Sequence, residues 1–380
     1  MKVLLVVGGS RAGLEFFFSL LDGHTEILQF PGFLVGDEKL IQILSYENCS
    51  DISSSFIKNY SHFFDSSISE EGKLNPAITH FKERHYMLGE NKDQHYFVDK
   101  EKFIQNFSEL FEKKNKSNLN NRLYENLLML HEAYLLTCGH DINKKKVMII
   151  NCHLIDWTKF FIKRIMGNVD FEIIHTIRNP LSAISSPVNN WLKYNSGKFF
   201  FAREIYFHLD LVINGIKKLK KFNKKIFLIQ LEILHKNNLS VMDDFCKTYN
   251  LRDEECLKKS TFHNLKWWGD IVSGKDLNGI NANFNINFDQ KNFFRRDIKF
   301  LEFILKDYIV FYKYKFTTEA SKFFFNIFPM RCEIIVWKNT FKHKRPKHIL
   351  SIPFFYIIRL LFVNKFSQKN LNMPRAFGME

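Results

Sequence analysis

The chain has 380 residues, of which 46% are hydrophobic and 25% are charged, a composition that indicates a folded globular protein and excludes a disordered one. Its net charge of +15 favours anionic partners such as nucleotides, acidic glycans or a membrane surface. Nucleic acid is not expected among them, because the sequence lacks the zinc-ligand spacings and aromatic strand motifs of nucleic-acid readers. The six cysteines are widely spaced without a Cys-x-x-Cys pair, so neither a disulfide framework nor a zinc site is expected.

The first residues form an apolar strand pattern, a glycine-rich turn and an apolar helical pattern, at positions 3–7, 8–13 and 14–21. The backbone N–H groups of such a turn, together with the helix start that follows, form a ready site for an anion. Arg11 lies inside the turn and adds a guanidinium group suited to phosphate or sulfate oxygens.

Strand and helix patterns alternate along the rest of the chain. A short apolar piece lies at 27–30. Strands are predicted at 147–150, 171–177 and 226–230, and helices at 157–166, from 181 onward, at 199–220 and at 297–314. Residues 36–140 are predicted to be mostly helical, with Asp99 as an N-cap, and 273–290 to be a loop. Alternation of this kind implies βαβ units, so the predicted fold class is α/β, a parallel β-sheet flanked by helices.

A second motif follows the predicted strand at 171–177. Arg178 ends that strand, Asn179 and Pro180 make a turn, and the helix after them carries Ser186 about two turns on. Arg178 and the Ser186 hydroxyl can converge on one anion, distinct from the anion at the first turn. Two anion sites at the carboxyl ends of parallel strands suit a nucleotide that is phosphorylated at both ends.

In this order, the two motifs resemble those of the PAPS-dependent sulfotransferases, whose donor is 3′-phosphoadenosine 5′-phosphosulfate (PAPS). The resemblance implies a P-loop NTPase-like sulfotransferase fold, in which the first turn holds the 5′-phosphosulfate. It also implies that Arg178 and Ser186, eight positions apart, bind the 3′-phosphate. The residues expected at the donor are Gly9, Ser10, Arg11, Ala12, Gly13, Leu14, Glu15, Arg178, Ser186, Trp267 and Trp268. The two tryptophans belong to a segment similar to the one that closes over the nucleotide, and either adenine stacking or a place in the core suits them.

The chain departs from the family pattern at Leu14 and Glu15, where the family has two hydroxyl residues. A carboxylate facing the phosphosulfate would repel it. Either Glu15 points away from the donor and pairs with a neighbouring Arg or Lys, or donor binding depends on backbone N–H groups, Ser10 and Arg11. A turn that does not bind the donor is the alternative.

For the transfer itself, Arg11 is expected to neutralise charge on the leaving phosphate, and His153 to act as the general base on the acceptor hydroxyl. His153 follows the strand predicted at 147–150 in a Cys-His-Leu sequence, which is similar to the Thr-His-Leu of cytosolic family members. A structural role for this histidine is the open alternative. His24 is expected at a helix end, and His175 in the core.

The predicted organisation is a sulfotransferase domain at 1–315, with a mainly helical acceptor-side insertion at 36–140, and a basic and apolar extension at 316–380. In the extension, the basic run and the apolar run that follows it span 338–363. This segment is predicted either to contact an anionic membrane surface or to pack as a terminal helix. The start of the chain lacks a signal-peptide pattern, so a cytoplasmic protein, peripheral at a membrane, is expected.

The function that these features predict is sulfuryl transfer from PAPS to a hydroxyl of a carbohydrate or glycolipid, without a metal. Two other functions stay open. One is a non-catalytic nucleotide- or glycan-binding relative. The other is a P-loop kinase, which would need a Lys followed by Ser or Thr where this chain has Arg11 and Ala12.

Overall fold

A computed structural model places most of the chain. It describes residues 1–9, 12–32, 34, 38–67, 88–114, 121–153, 155–194, 202–269, 279–280, 288–316 and 328–342, and, further on, 349–350, 352–354, 356–357, 360–361 and 377. Within these ranges, no helix is long and apolar enough to cross a membrane.

Five strands form a central, all-parallel sheet in the order β2–β3–β1–β4–β5. The strands are β1 (Lys2–Gly8), β2 (Ile27–Leu28), β3 (Val147–His153), β4 (Phe171–Ile177) and β5 (Ile226–Gln230). Residues 3–7 of the central strand are at most 1% exposed, because helices cover both faces of a parallel sheet and leave no face for polar side chains. The predicted fold class is confirmed.

The helices follow the strands and the connecting segments. They are α1 (Leu14–Leu20), α2 (Glu38–Ser45), α3 (Cys49–Asn59), α4 (Lys100–Lys114), α5 (Arg122–Thr137), α6 (Ile155–Phe161), α7 (Pro180–Tyr194), α8 (Ala202–Lys220), α9 (Leu231–Lys236), α10 (Asn238–Tyr249), α11 (Arg295–Ile304), α12 (Lys306–Phe311) and α13 (Arg331–Lys342). A short hairpin, β6 (Thr261–Phe262) and β7 (Leu265–Lys266), follows α10.

Helices α1 and α8 lie on opposite faces of the sheet. A Cβ atom at Gly8 would lie 2.7 Å from Thr176 Oγ1 and 3.4 Å from the Cβ of Leu14, which begins α1. A Cβ atom at Gly215 in α8 would lie 3.8 Å from Nε2 of His175. His175 and Thr176 are neighbours in β4, and neighbouring side chains of a strand point to opposite faces.

The strand order creates a switch point between β1 and β4. From β1 the chain continues to β2, at one edge of the sheet, and from β4 it continues to β5, at the opposite edge. The carboxyl ends of β1 and β4 are level, since Val7 pairs with His175 and Gly8 with Thr176. In open α/β sheets, ligands bind in the crevice beyond the strands at such a point.

The helical prediction for residues 36–140 is confirmed for the part that is described, which contains α2 to α5; residues 68–87 and 115–120 lie outside it. Asp99 caps α4 as predicted, because its carboxylate accepts hydrogen bonds from the backbone N–H groups of Glu101 and Lys102, at 2.9 and 3.0 Å. The helices cover buried aromatic residues, among them Phe30. Its ring stacks on that of Phe63, with 4.9 Å between the ring centroids.

Three predicted element bounds are wrong. The strand predicted at 147–150 extends to His153, which is its last residue. The helix predicted at 157–166 is α6 followed by a π-helical turn, Ile162–Met166. The helix predicted at 297–314 is broken at Leu305 into α11 and α12.

The residues around the break at Leu305 pack in two hydrophobic clusters. Ile298 and Leu301 before the break, and Ile309 after it, pack in one cluster with α7 and α8. Tyr308 and Tyr312 pack in a separate cluster with β4 and β5 residues.

Of the loop predicted at 273–290, residues 279–280 and 288–290 are described, and a 3-10 helix, Gln290–Asn292, begins at its end. The helix predicted from 199 begins at Ala202, with 199–201 outside the described residues.

Candidate functional site

Three adjacent strands end at the same edge of the sheet, and each is followed by residues predicted for the site. In spatial order, β3 ends at His153, β1 runs into the glycine-rich turn, and β4 runs into Arg178. His153 is paired with Val7 beyond an irregularity in the β1–β3 register. The fold thus brings together the predicted base and the two predicted anion-binding turns.

The glycine-rich turn is closed by a hydrogen bond from the backbone N–H of Ala12 to the carbonyl of Gly9, 3.1 Å long. Gly13 is the N-cap of α1 and has a φ of 78°, the left-handed region that favours glycine. A Cβ atom there would also lie 2.2 Å from Cδ1 of Leu231, whereas a Cβ atom at Gly9 would meet nothing within 4 Å. The turn is therefore packed tightly at Gly13 and borders open space at Gly9. Ser10 and Arg11 lie outside the described residues.

The two residues that depart from the family pattern are placed differently. Leu14 is buried in the core, 5% exposed, so its side chain faces away from the open space and only its backbone N–H is available to a ligand. Glu15 is half-buried. The N–H groups at the start of a helix have no partner within the helix, and they are the donors that this turn offers besides those of the glycines.

The Arg178 turn has the predicted strand–turn–helix form. Asn179 is the N-cap of α7, since its Oδ1 accepts a hydrogen bond from the backbone N–H of Ser182 at 3.1 Å. Pro180 is the first helical residue, where its missing N–H costs nothing. Arg178 and Ser186 are both half-buried. Ser182 and Ser186 are four positions apart and share one face of α7.

Two buried hydroxyl groups lie beside these turns. Thr176 Oγ1 faces Gly8 across the β1–β4 pair, and Ser182 is in the first turn of α7. Both residues are at most 2% exposed, and neither hydroxyl has a hydrogen-bond partner in the part of the chain that the structure describes. Most buried hydroxyls have a partner, so these two are exceptions among the described residues.

Glu232 lies beside the Arg178 turn but belongs to neither of the two predicted motifs. It is the second residue of α9, which directly follows β5. Its Oε1 accepts a hydrogen bond from the backbone N–H of Asn179 at 2.6 Å, and its Oε2 accepts one from the hydroxyl of Tyr314 at 3.0 Å. Burial raises the pKa of Glu232, and the Asn179 N–H and the nearby Arg178 charge oppose that rise.

His153 is half-buried and has a φ of 53°. Its backbone N–H donates a hydrogen bond to Oδ1 of Asn151 at 3.1 Å, which helps to hold the left-handed conformation that a non-glycine residue rarely adopts. Conformations of this kind concentrate at functional sites.

His24 and His175 have the structural roles predicted for them. His24 is 1% exposed, and its Nδ1 accepts a hydrogen bond from the backbone N–H of Glu26, so its Nε2–H donates to the carbonyl of Arg252. His175 is 4% exposed, and its Nδ1 bonds to the carbonyl of Val7. Burial lowers the pKa of His175 to about 4, which keeps the ring neutral at pH 7.

The structure places Trp267 and Trp268 away from the two turns, in the segment that contains the β6–β7 hairpin. That segment is attached to the far end of α1, where Ser19 Oγ lies 2.6 Å from Ser260 Oγ. Trp267 is 2% exposed and packs against Phe262, which favours the core alternative for this residue. Trp268 donates a hydrogen bond from its indole N–H to the carbonyl of Gly89.

Comparisons with known proteins give structural similarity alone. No protein-family model matches the chain, and no curated protein matches its sequence. The structure is similar to the sulfotransferase domain from the curacin biosynthetic pathway, at 12% identity and a TM-score of 0.37 over 89% of this chain and 96% of that one. It is also similar to the sulfotransferase domain of the olefin synthase from Synechococcus PCC 7002, at 12% identity and a TM-score of 0.35 over 77% and 86% of the two chains.

A third similar structure is sulfotransferase STF9 from Mycobacterium avium, at 10% identity and a TM-score of 0.41 over 84% of this chain and 78% of that one. These identities and TM-scores are too low to assign an activity. The function must be inferred from the residues of this chain.

Proposed function

We propose that the protein is a sulfotransferase that transfers the sulfuryl group of PAPS to a hydroxyl of an acceptor. The observation that carries this proposal is the position of the two predicted anion-binding turns, which follow β1 and β4 on either side of the switch point of the sheet. A donor that is phosphorylated at both ends needs two anion sites at one edge. The level ends of these strands supply that arrangement.

The residues around the crevice suit such a donor. The 5′-phosphosulfate is assigned to the turn from Gly9 to Glu15, where the open space at Gly9 and N–H groups that have no partner within the helix allow close approach of an anion. The 3′-phosphate is assigned to the guanidinium of Arg178 and the hydroxyl of Ser186.

The chemistry requires positioning and charge stabilisation more than covalent catalysis. When bound, PAPS supplies an activated sulfuryl group. His153, at the adjacent strand end, accepts the proton of the acceptor hydroxyl as that oxygen bonds to sulfur. Arg11 stabilises the negative charge that develops on the departing phosphate.

The acceptor is proposed to be a carbohydrate or a glycolipid, recognised by the insertion at 36–140 within a domain that spans 1–315. The net charge of +15 supports an anionic or membrane-associated acceptor environment. We propose that the protein is cytoplasmic and contacts a membrane peripherally through 338–363. Such a contact would bring the protein to a glycolipid acceptor.

Isothermal titration calorimetry with 3′,5′-ADP, 5′-AMP and ATP tests the donor assignment. We expect 3′,5′-ADP to bind at least tenfold more tightly than 5′-AMP, and Arg178→Ala to remove that preference because the 3′-phosphate loses its charged partner. The matched control is Arg164→Ala, which alters an exposed arginine in the π-helical turn and leaves the preference intact. Absence of 3′,5′-ADP binding, or tighter binding of ATP, would overturn the proposal.

Transfer of labelled sulfate from PAPS to a panel of glycans and glycolipids tests catalysis separately. Binding of 3′,5′-ADP without transfer to any acceptor, even one shown to bind, would favour the non-catalytic alternative.

A further inference from the structure

The positive charge of this chain is concentrated near its carboxyl end. Residues 334–379 contain nine lysines and arginines and no aspartate or glutamate, so this segment carries nine of the fifteen net positive charges. Five of the nine lie together at Lys338, Lys342, Lys344, Arg345 and Lys347. Lys338 and Lys342 are in α13, which ends where this basic run continues.

An apolar stripe follows the basic run. The described residues between 349 and 361 are helical, and four of them are large apolar residues with high exposure: Leu350 at 80%, Phe354 at 61%, Ile357 at 55% and Leu361 at 65%. Their spacing of four, three and four places them on one face of a helix. The half-buried residues Ile349, Ile352, Tyr356 and Leu360 follow a parallel stripe beside them.

The exposed stripe has the wrong composition for a face that meets only water. A surface helix of a globular protein places polar or charged residues on its outer face, and a contiguous exposed apolar patch marks an interaction site. The prediction of a packed terminal helix therefore does not account for this face. Two features must be explained together, an exposed apolar stripe and a run of cations directly before it.

We propose that the stripe formed by Leu350, Phe354, Ile357 and Leu361 inserts at the headgroup boundary of an anionic membrane. The lysines and arginines that precede it in the sequence supply the attraction to acidic lipid headgroups, the combination by which amphipathic helices bind such membranes. This inference rests on the peripheral membrane contact proposed above and names its lipid partner, but it does not depend on the proposed sulfotransferase activity.

Charge decides between this partner and the other candidates. A second copy of the chain would bring two strongly cationic segments together, and like charges at close range repel. A soluble polyanion would satisfy the lysines and arginines but would leave the apolar stripe in water. An anionic bilayer satisfies both features.

The test uses the full-length chain and co-sedimentation with vesicles of pure phosphatidylcholine or of phosphatidylcholine with about a third phosphatidylserine. We expect at least tenfold tighter binding to the phosphatidylserine vesicles, and weaker binding as salt is raised, because screening acts on exposed charges. Replacing the four stripe residues by glutamine should lower vesicle binding at least tenfold. Replacing the five clustered cations by glutamine should do the same and remove the lipid-charge preference.

The matched control replaces Phe97, Leu239 and Val310 by glutamine, since these are exposed apolar residues elsewhere, at 69%, 63% and 59% exposure. It should bind vesicles as the wild type does. Circular dichroism and calorimetry with 3′,5′-ADP, or thermal melting if that nucleotide does not bind, show whether each variant is folded.

Three results would overturn the inference. The first is vesicle binding that does not depend on lipid charge. The second is vesicle binding that survives replacement of the stripe. The third is a folded stripe variant that changes from an oligomer to a monomer while its vesicle binding is unaltered, which would assign the stripe to a second copy of the chain.

Discussion

The carboxylate of Glu232 accepts a hydrogen bond from the backbone N–H of Asn179, over 2.6 Å. Glu232 follows β5 and Asn179 follows β4, so this bond connects the segments that follow two neighbouring strands. The hydroxyl of Tyr314 bonds to the other carboxylate oxygen and connects a segment more than eighty residues away. Arg178 is adjacent to Asn179, so we expect its orientation to depend on a half-buried carboxylate that is distant in sequence.

Replacing Glu232 by alanine should lower the affinity for 3′,5′-ADP about tenfold, the equivalent of about 1.4 kcal/mol, with a smaller effect on 5′-AMP. Glu232→Gln should retain most of the affinity, because its amide oxygen can still accept the bond from Asn179. Calorimetry on both variants makes the measurement. An exposed acid, Glu255, provides the control as Glu255→Ala. Equal losses for both nucleotides in Glu232→Ala would indicate a general structural effect and not a role in placing Arg178.

Gly9 and Gly13 of the first turn should respond differently to substitution. Gly13→Ala should reduce the free energy of unfolding by about 2–4 kcal/mol, because a left-handed conformation and a contact with Leu231 both oppose a Cβ atom. Gly9→Ala should change it by less than about 0.5 kcal/mol, since nothing lies within 4 Å of the new atom. Urea unfolding of both variants provides the comparison. Similar losses at the two positions would contradict the described geometry of the turn.

Replacing His153 by glutamine should lower kcat about 10²–10⁴-fold, the contribution typical of a general base. Binding of 3′,5′-ADP should stay within twofold, because the histidine is assigned to the acceptor and not to the donor. His140→Gln, another half-buried histidine, serves as the control. A His153→Gln enzyme with unchanged kcat would assign this residue to the structural alternative.

Arg11→Ala should lower kcat about 10²–10³-fold if the guanidinium stabilises the charge on the leaving phosphate, as an oxyanion donor does. Arg11→Lys should recover part of the loss, since it keeps the charge but not the planar fork. Steady-state kinetics at saturating PAPS separates this effect from weaker donor binding. Full activity in Arg11→Ala would exclude the proposed role.

Buried histidines should make the fold sensitive to acid. Burial lowers the pKa of His175, His208 and His235 to about 4 and that of His131 to about 3, from an ordinary value of about 6.5. Between these values the unfolded chain binds protons that the folded chain does not, so stability is lost as the pH falls from about 6.5 to 4. The slope is about 1.4 kcal/mol per pH unit for each histidine at most.

Thermal or urea unfolding between pH 7 and pH 4.5 measures this loss. His175→Gln should reduce the dependence of the free energy of unfolding on pH, because one buried histidine that takes up a proton on unfolding is then absent. This holds even if the variant is less stable at pH 7. An unchanged slope in this variant would show that His175 does not contribute.

Much of the architecture was predictable from local pattern. A continuous apolar run such as residues 3–7 is long enough for a strand and too apolar for one exposed face, so its burial in a parallel sheet followed from composition. Asp99 was identifiable as a cap because a short polar side chain before a helical pattern satisfies its first N–H groups. The motif formed by Arg178 and Ser186 was likewise visible in the sequence, because the two residues are only eight positions apart.

Other features depended on contacts between distant segments. The order of the strands, which places the two turns side by side, is set by packing across the whole sheet, and no local pattern encodes it. The same holds for the burial of Trp267 and the bond between Glu232 and Asn179, because each depends on which residues meet from far along the chain. By itself, the sequence determined the strands, the caps and the residue types of the two turns. Only the tertiary structure decided that these turns share one crevice, since their nearness arises from long-range strand pairing.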